Sequence, residues 1–356
     1  MKAALLYGPA DLRIVEVAAP EPGPGEVVLQ IRAAGTCGTD RKMYLRGHPA
    51  LGPYPSRFGH EFAGVVGSVG EGVAGFSPGE PVFCADSAPC GACFQCRGGR
   101  PNLCEDLRYL LGGFAEQVLV PARLVTGNLH ALPAGVGLEV APLAEPLACA
   151  LHAVERAGIA PGDRVAIVGG GALGLMLCAL ARRAGGRPIV LDPHQERLGL
   201  AERFGAEATV GAERGPADVE RLKRATPGGR GADQVFEAVG RTEAWELAVD
   251  MARPGGVVNL FGGCPRDSRV PVPTDRVHYE ELRLQGAYHH TPRCIAEALG
   301  LLAGGPEPWA ELCGPRIGLE ALEAALTGAL TGAPLGKYLV VPGVQPSAFP
   351  GGGPDE

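Results

Sequence analysis

Lysine is nearly absent from this sequence: it stands only at positions 2, 42, 223 and 337, and arginine carries most of the positive charge. Such a bias accompanies a GC-rich genome or a hot habitat, and composition does not separate the two. Positive charge as a whole is outnumbered, with 32 Lys and Arg against 39 Asp and Glu, a net charge of −7 and a pI near 5.7. That leaves no basic footprint for nucleic acid or for an anionic membrane surface. Long apolar runs are missing as well. Nothing approaches the roughly 20 residues of a membrane span, and the opening MKAALLYGPADLRIVEV is interrupted too soon for a signal peptide. A cytoplasmic protein is expected, whose 11 cysteines are thiols or metal ligands rather than disulfides. With 356 residues, 46% of them hydrophobic, the chain can supply two cores.

The most informative stretch runs from Arg164 to Asp192. Val165, Ala166, Ile167 and Val168 read as a short buried parallel strand. Gly169, Gly171 and Gly174 follow at GxGxxG spacing, then LGLMLCALARRAG, rich in helix formers and stopped by Gly185 and Gly186. A second strand, PIVLD, ends at Asp192. In a dinucleotide-binding βαβ unit the first glycine permits the turn, the second lets backbone N–H groups approach a pyrophosphate, and the third lets helix pack on strand. Gly169, Gly171, Leu173 and Gly174 are therefore candidate cofactor contacts, and Asp192 can accept hydrogen bonds from a ribose, which favours NAD. A lone GxGxxG is weak in a chain with 55 glycines, but here strand, turn, helix, second strand and terminal acid agree.

From Met1 to about Leu132 the pattern is of short strands separated by turns, among them KAALLYG, LRIVEVA, EVVLQIRAAG, FAGVVGSVG, EPVFCAD and FAEQVLVP. This spacing suggests a small β-barrel. Near Ala141 the organisation changes: the helical APLAEPLACALHAVERAG leads into alternating strands and helices, the signature of a doubly wound parallel sheet. After LRLQGAYHH come the helical segments CIAEALGLLAGG and LEALEAALTGAL, then GKYLVVP, a strand expected to return to the first domain. The tail QPSAFPGGGPDE reads as disordered.

Cys90, Cys93, Cys96 and Cys104 stand in PCGACFQCRGGRPNLC. Two-residue gaps let thiolates of a tight loop converge on one ion, and the longer gap lets the loop fold back with the fourth. Four sulfurs leave no position for substrate, so this reads as a structural zinc site. An iron–sulfur cluster uses similar ligands but different gaps. Cys84, Cys178, Cys264, Cys294 and Cys313 lack such spacing and read as small buried residues.

With GTCGTD around Cys37, GHEFAGVV at His60, the four-cysteine loop, GGFAEQVLVP, AEPLACALHA at Glu145, GGGALG and GKYLVVP, the chain resembles the zinc-dependent medium-chain dehydrogenases. Within them it is similar to the polyol (sorbitol) and threonine dehydrogenase branch. The resemblance implies an α/β protein: a GroES-like β-barrel catalytic domain at 1–140 with the structural zinc lobe, and an inserted Rossmann doubly wound parallel-sheet domain at 141–290 that binds NAD. A return to the catalytic domain at 291–345 and the tail at 346–356 complete it. The resemblance also implies a catalytic Zn2+ held by Cys37 and His60, with Glu61 as ligand or neighbour, and Glu145 of the Glu-Pro pair facing the metal. Cys149, one turn further on, is the alternative donor of simple alcohol dehydrogenases. Thr39 matches the hydroxyl that takes the alcohol's proton, and Arg197 matches an arginine beside the adenosine. The branch's relay histidine is replaced by Lys42, and His48 is a candidate substitute. Tyr288, His289 and His290 are candidate substrate or cofactor contacts.

The implied activity is hydride transfer between NAD and a secondary alcohol, with a polyol, sugar, cyclitol or 3-hydroxy amino acid as substrate, in a homodimer or homotetramer. A simple alcohol dehydrogenase is the alternative within the enzymes, and an inactive nucleotide-binding relative the alternative outside them. The joint presence of Cys37, Thr39, His60 and Glu145 argues against inactivity, and the presence of both metal sets argues against a zinc-free quinone reductase.

Overall fold

In the computed structural model residues 1–330 and 335–344 are described, so the tail expected at 346–356 lies outside the described residues. Two units divide the chain. Met1–Glu145, Ile295–Gly305 and the segment from Trp309 onward form one, and Pro146–Cys294 with Pro306–Pro308 the other. Among the described residues no helix is long and apolar enough to cross a membrane.

The first unit opens with β1 (Lys2–Gly8) and β2 (Asp11–Glu16), an antiparallel pair. The proline-rich PEPGPGE leads into β3 (Val27–Gly35), followed by α1 (Gly38–Arg46), β4 (Ser56–Arg57), β5 (Glu61–Val69) and β6 (Pro81–Cys84). The cysteine loop is framed by β7 (Ser87–Ala88) and β8 (Arg108–Tyr109) and contains the short α2 (Phe94–Arg97); β9 (Gln117–Val120), α3 (Ala122–Asn128) and β10 (Leu129–Ala131) complete the segment. Helices α1, α2 and α3 correct the expectation of strands and turns alone. The reason at α1 is its cap: Cys37 accepts from the Thr39 N–H and the Asp40 carboxylate accepts from the Cys37 N–H, a capping box built on a thiol. Cysteine is not among the usual N-cap residues, so the start signal is hard to see.

One edge of β3 pairs along its length with β5, while its other edge carries β9 on residues Val27–Gln30. Inside this sheet Phe58, Phe62, Phe114, Leu29 and Leu124 are fully buried, with the Phe58 and Phe114 rings edge to face at 5.0 Å. Each such side chain contributes about 1.5–3 kcal/mol relative to exposure.

The second unit begins within α4 (Ala144–Ala157). Its elements are β11 (Arg164–Val168), α5 (Ala172–Arg183), β12 (Arg187–Asp192), α6 (Gln195–Arg203), β13 (Ala208–Gly211), α7 (Ala217–Arg224), β14 (Ala232–Glu237), α8 (Thr242–Met251), β15 (Ala252–Leu260), α9 (Thr274–Tyr279) and β16 (Arg283–Gly286). The strands form one parallel sheet in the order β13-β12-β11-β14-β15-β16. The order reverses direction between β11 and β14, the switch point at which doubly wound sheets bind ligands beyond their carboxyl ends.

After α10 (Pro292–Gly304) the chain returns through β17 (Cys313–Ile317), α11 (Leu322–Thr327) and β18 (Lys337–Val340). β18 pairs antiparallel with the end of β3, Leu339 opposite Gly35 and Val340 opposite Ala34, so a strand from the chain's far end lies beside the start of α1.

Candidate active site

The turn from β3 into α1 and the start of β5 place three donor atoms together. The ligand atoms of Cys37, His60 and Glu61 all lie within 4.8 Å of one another. Cys37 is fixed by its role as N-cap of α1. His60 stands just before β5, with its Nδ1 3.0 Å from Asp40 Oδ1. A carboxylate only accepts, so Nδ1 carries the proton and Nε2 is left to face a metal. Asp40 is fully buried, and its second oxygen accepts the Cys37 N–H at 2.8 Å.

Glu61, the first residue of β5, is fully buried too. Lys337 of β18 donates to its Oε1 at 2.7 Å and to the Thr36 carbonyl at 3.2 Å. Glu61 Oε2 is buried and has no hydrogen-bond partner among the described residues. Burial and the nearby Cys37 and Glu145 charges push the Glu61 carboxyl well above its ordinary range, against the pull of Lys337. Burial also pushes the Cys37 thiol up, but Lys337 and His60 outweigh it and bring it to about 7. For His60, Asp40 outweighs burial and raises the imidazole above its usual value. One thiol, one imidazole and one orphaned carboxylate oxygen form a donor set that fits zinc.

The carboxylate of Glu145, in the first turn of α4, falls outside that trio and lies within 4.8 Å of the Asp86 carboxylate instead. Cys149 is one turn further along the same helix. Thr39 lies in the first turn of α1, and Lys42 lies further along that helix. His48 is exposed and accepts the Ala50 N–H through Nδ1. Tyr288, His289 and His290 follow β16 with their rings in succession, at centroid separations of 5.6 and 4.0 Å. Two residues of the trio's surroundings, Asp40 and Lys337, were not singled out as site residues from sequence. The available signal was weak: Asp40 is part of the quoted CGTD, and Lys337 is one of only four lysines.

All 11 cysteines are free thiols. The sulfurs of Cys90, Cys93, Cys96 and Cys104 lie within 4.8 Å of one another, Cys90 to Cys96 at 3.9 Å and Cys93 to Cys104 at 3.8 Å. Sulfurs at the corners of a tetrahedron of 2.3 Å zinc bonds are about 3.8 Å apart. Backbone N–H groups already point at the sulfurs: Ala92 and Cys93 donate to Cys90, Cys96 to Cys93, and Cys90 and Asp106 to Cys104. The Cys96 and Glu105 N–H groups draw the Cys93 thiol down to about 6. The loop fits a closed zinc site. Of the remaining cysteines, Cys84, Cys178 and Cys294 are buried as expected, whereas Cys264, in the loop after β15, and Cys313, the first residue of β17, are only half-buried.

At the glycine turn, Gly169 adopts φ +106°, and a Cβ on Gly174 would lie 1.8 Å from the Gly169 carbonyl oxygen. A Cβ on Gly171 would meet nothing within 4 Å, so the turn opens a cradle there. Gly171 caps α5 without a side-chain bond, which leaves the first-turn N–H groups beside Leu173 available to an anion. Asp192 is 3% exposed; its Oδ2 accepts the Gly170 N–H and its Oδ1 the His194 N–H, both at 2.9 Å. Arg197 reaches the same carboxylate at 3.4 Å, so the acid is pinned across the mouth of the turn. These residues fit a dinucleotide. Beside them Glu237, buried at the end of β14, accepts from the Val239 and Gly240 N–H groups at 2.8 Å.

Comparison with known proteins agrees with this geometry. The family model for the alcohol dehydrogenase GroES-like domain matches residues 23–134, and that for zinc-binding dehydrogenases matches residues 172–304. A 2-dehydro-3-deoxy-L-galactonate 5-dehydrogenase of Pseudoalteromonas atlantica is 32% identical over 86% of this chain and 88% of its own length. The sorbitol dehydrogenase of Bacillus subtilis is 30% identical over 92% of each chain. Among solved structures, a zinc-binding dehydrogenase of Sinorhizobium meliloti bound to NADP superposes with a TM-score of 0.85 at 33% identity, covering 96% of this chain and 99% of the other.

Proposed function

Because the chain belongs to the zinc-dependent medium-chain alcohol dehydrogenases, we propose that it oxidises a secondary alcohol of a polyhydroxylated substrate, a polyol, sugar or sugar acid, with NAD as hydride acceptor. The observation that carries this reading is the clustered set of Cys37, His60 and Glu61, braced by Asp40 and Lys337, in a chain that also builds a dinucleotide turn. Cyclitols belong to the same substrate class, whereas 3-hydroxy amino acids share only the secondary alcohol.

Zinc, when bound, lowers the pKa of the substrate hydroxyl, and NAD accepts the hydride. The protein's own residues do the rest. Cys37, His60 and Glu61, with Glu145 as the fourth donor, hold the metal. Asp40 keeps the His60 Nδ1 protonated and Nε2 directed at it. Lys337 occupies one oxygen of Glu61 and leaves the other to the site. The Thr39 hydroxyl accepts a hydrogen bond from the substrate hydroxyl and relays its proton, passing its own on towards solvent. Gly169, Gly171, Leu173 and Gly174 receive the pyrophosphate, and Asp192 bonds the adenosine ribose where the 2′-phosphate of NADP would meet its charge. Arg197 orients that carboxylate. Cys90, Cys93, Cys96 and Cys104 hold a second, structural zinc. In this reading residues 1–140 and 291–345 form the catalytic domain and 141–290 the nucleotide domain of a cytoplasmic homodimer or homotetramer.

The test is zinc per chain together with coenzyme reduction over a panel of polyols, sugar acids and simple alcohols. Two zincs and the highest kcat/KM on a polyhydroxylated alcohol are expected. A metal-free active enzyme, or a preference for simple alcohols, would overturn the reading.

A further inference from the structure

Apart from the two zinc sets, a third group of metal-binding side chains lies inside the second unit. His152 and Glu155 are three residues apart on α4, so both project from one face of the helix. Cys294, in the first turn of α10, meets them: its Sγ is 3.8 Å from Glu155 Oε2, and the ligand atoms of all three lie within 4.8 Å of one another. Thr291 fixes the cysteine, its Oγ1 accepting the Cys294 N–H at 3.2 Å and lying 3.1 Å from the sulfur.

A second observation is independent of this proximity. His152 Nε2 is buried and has no hydrogen-bond partner among the described residues. Buried polar atoms are normally satisfied, and an orphan needs an explanation. We propose that His152, Glu155 and Cys294 form a third metal site, which binds a thiophilic divalent cation of the zinc type and ties α4 to the start of α10.

The donor set excludes magnesium and calcium, which prefer oxygen cages, and suits zinc, with a fourth position left for water. A helical pair at i and i+3 completed from a second helix is a recurring way to build such a site in helical proteins. Burial and the charge of Arg156 hold the His152 pKa below its ordinary value, which keeps the imidazole neutral and its lone pair available. Arg293 donates to both Glu155 oxygens, at 2.8 and 2.5 Å. The Arg293 side chain is 57% exposed, so it can swing into water when the carboxylate turns to a cation. Displacing that arginine and deprotonating a buried thiol both oppose binding, so the site is weaker than the four-cysteine loop and fills only as free zinc rises.

The experiment is equilibrium dialysis of the full-length protein against buffered free zinc, with metal counted per chain. The wild type is expected to reach a plateau one zinc above the plateaus of His152→Gln and Cys294→Ser, with the tightly held zinc unchanged in both. Arg293→Ala, which frees Glu155, is expected to reach the higher plateau at a several-fold lower free zinc concentration. Circular dichroism identifies any variant that fails to fold, and Cys294→Ala and His152→Ala then replace it. Equal plateaus in wild type and folded variants would overturn the site, and an unchanged midpoint in Arg293→Ala would remove Glu155 from it. Because the count concerns metal beyond the resident zinc and needs no substrate, its failure leaves the dehydrogenase reading untouched.

Discussion

Replacing Lys337 by Met tests the charge balance around Glu61. The methionine keeps the length and apolar stem but removes the cation hydrogen-bonded to a carboxylate that is 0% exposed, from a lysine that is itself 9% exposed. Breaking a buried pair from one side costs about 3–5 kcal/mol, because the remaining charge is stranded. The Thr36 carbonyl also loses its donor, but the two losses share one side chain and do not add. Protonation of Glu61 in the variant caps the cost within that range. For a unit of this size each kcal/mol shifts the melting temperature by about 2–4 °C, so a fall of roughly 6–20 °C is expected in the transition that reports the first unit. The assay is thermal melting of protein with measured zinc content, run as a cycle with Glu61→Gln. In that background Lys337→Met strands no carboxylate and removes an ammonium that has already lost its partner, so it should cost no more than about 1 kcal/mol. The same loss in both backgrounds, or a loss below about 1 kcal/mol in the native one, would show that the lysine is held by packing and not by Glu61.

Four further outcomes are expected. Gly174→Ala puts a Cβ 1.8 Å from the Gly169 carbonyl oxygen, so the turn must shift; coenzyme affinity in a fluorescence titration should fall at least about tenfold, and unchanged affinity would refute the close packing. Wild-type kcat/KM should favour NAD over NADP by at least about tenfold, about 1.4 kcal/mol, with Asp192→Ser narrowing the ratio; equal efficiencies in wild type would sink the role given to that acid. Cys93→Ser should release one of two zincs and lower thermal stability, whereas full metal content would show that the four thiols bind nothing. Glu145→Ala should lose the catalytic zinc or most of kcat while Cys149→Ala keeps both, and the reverse pattern would transfer the ligand role to the thiol.

Whatever was read from local pattern survives contact with the structure best in the second unit. Strand β11, the glycine turn, α5 and β12 are contiguous, and each announces itself through period, helix former or glycine within a few residues. That the sheet is parallel and doubly wound could be reasoned from the alternation of strand and helix; its strand order could not. In the first unit the strands were legible but α1 was not, because its start is signalled by a thiol and a carboxylate that also serve the site. The same fact hid Asp40: seen as sequence it is the last letter of CGTD, and only the turn of α1 brings its carboxylate to His60, 20 residues away.

Lys337 was illegible for a different reason, and that reason says something about how the site is assembled. Lysines are almost never fully buried without a partner, so one beside an apolar strand reads as solvated. Its partner is 276 residues earlier, and the pairing of β18 with the end of β3 decides where the ammonium lies. Without that strand Glu61 lacks the lysine that most strongly offsets its desolvation, while Cys37 and Glu145 beside it oppose its charge. The returning strand therefore does more than close a sheet. It delivers the counter-charge that allows β5 to begin with a buried acid, so docking of the chain's end and formation of the metal-binding geometry are two descriptions of one cooperative step.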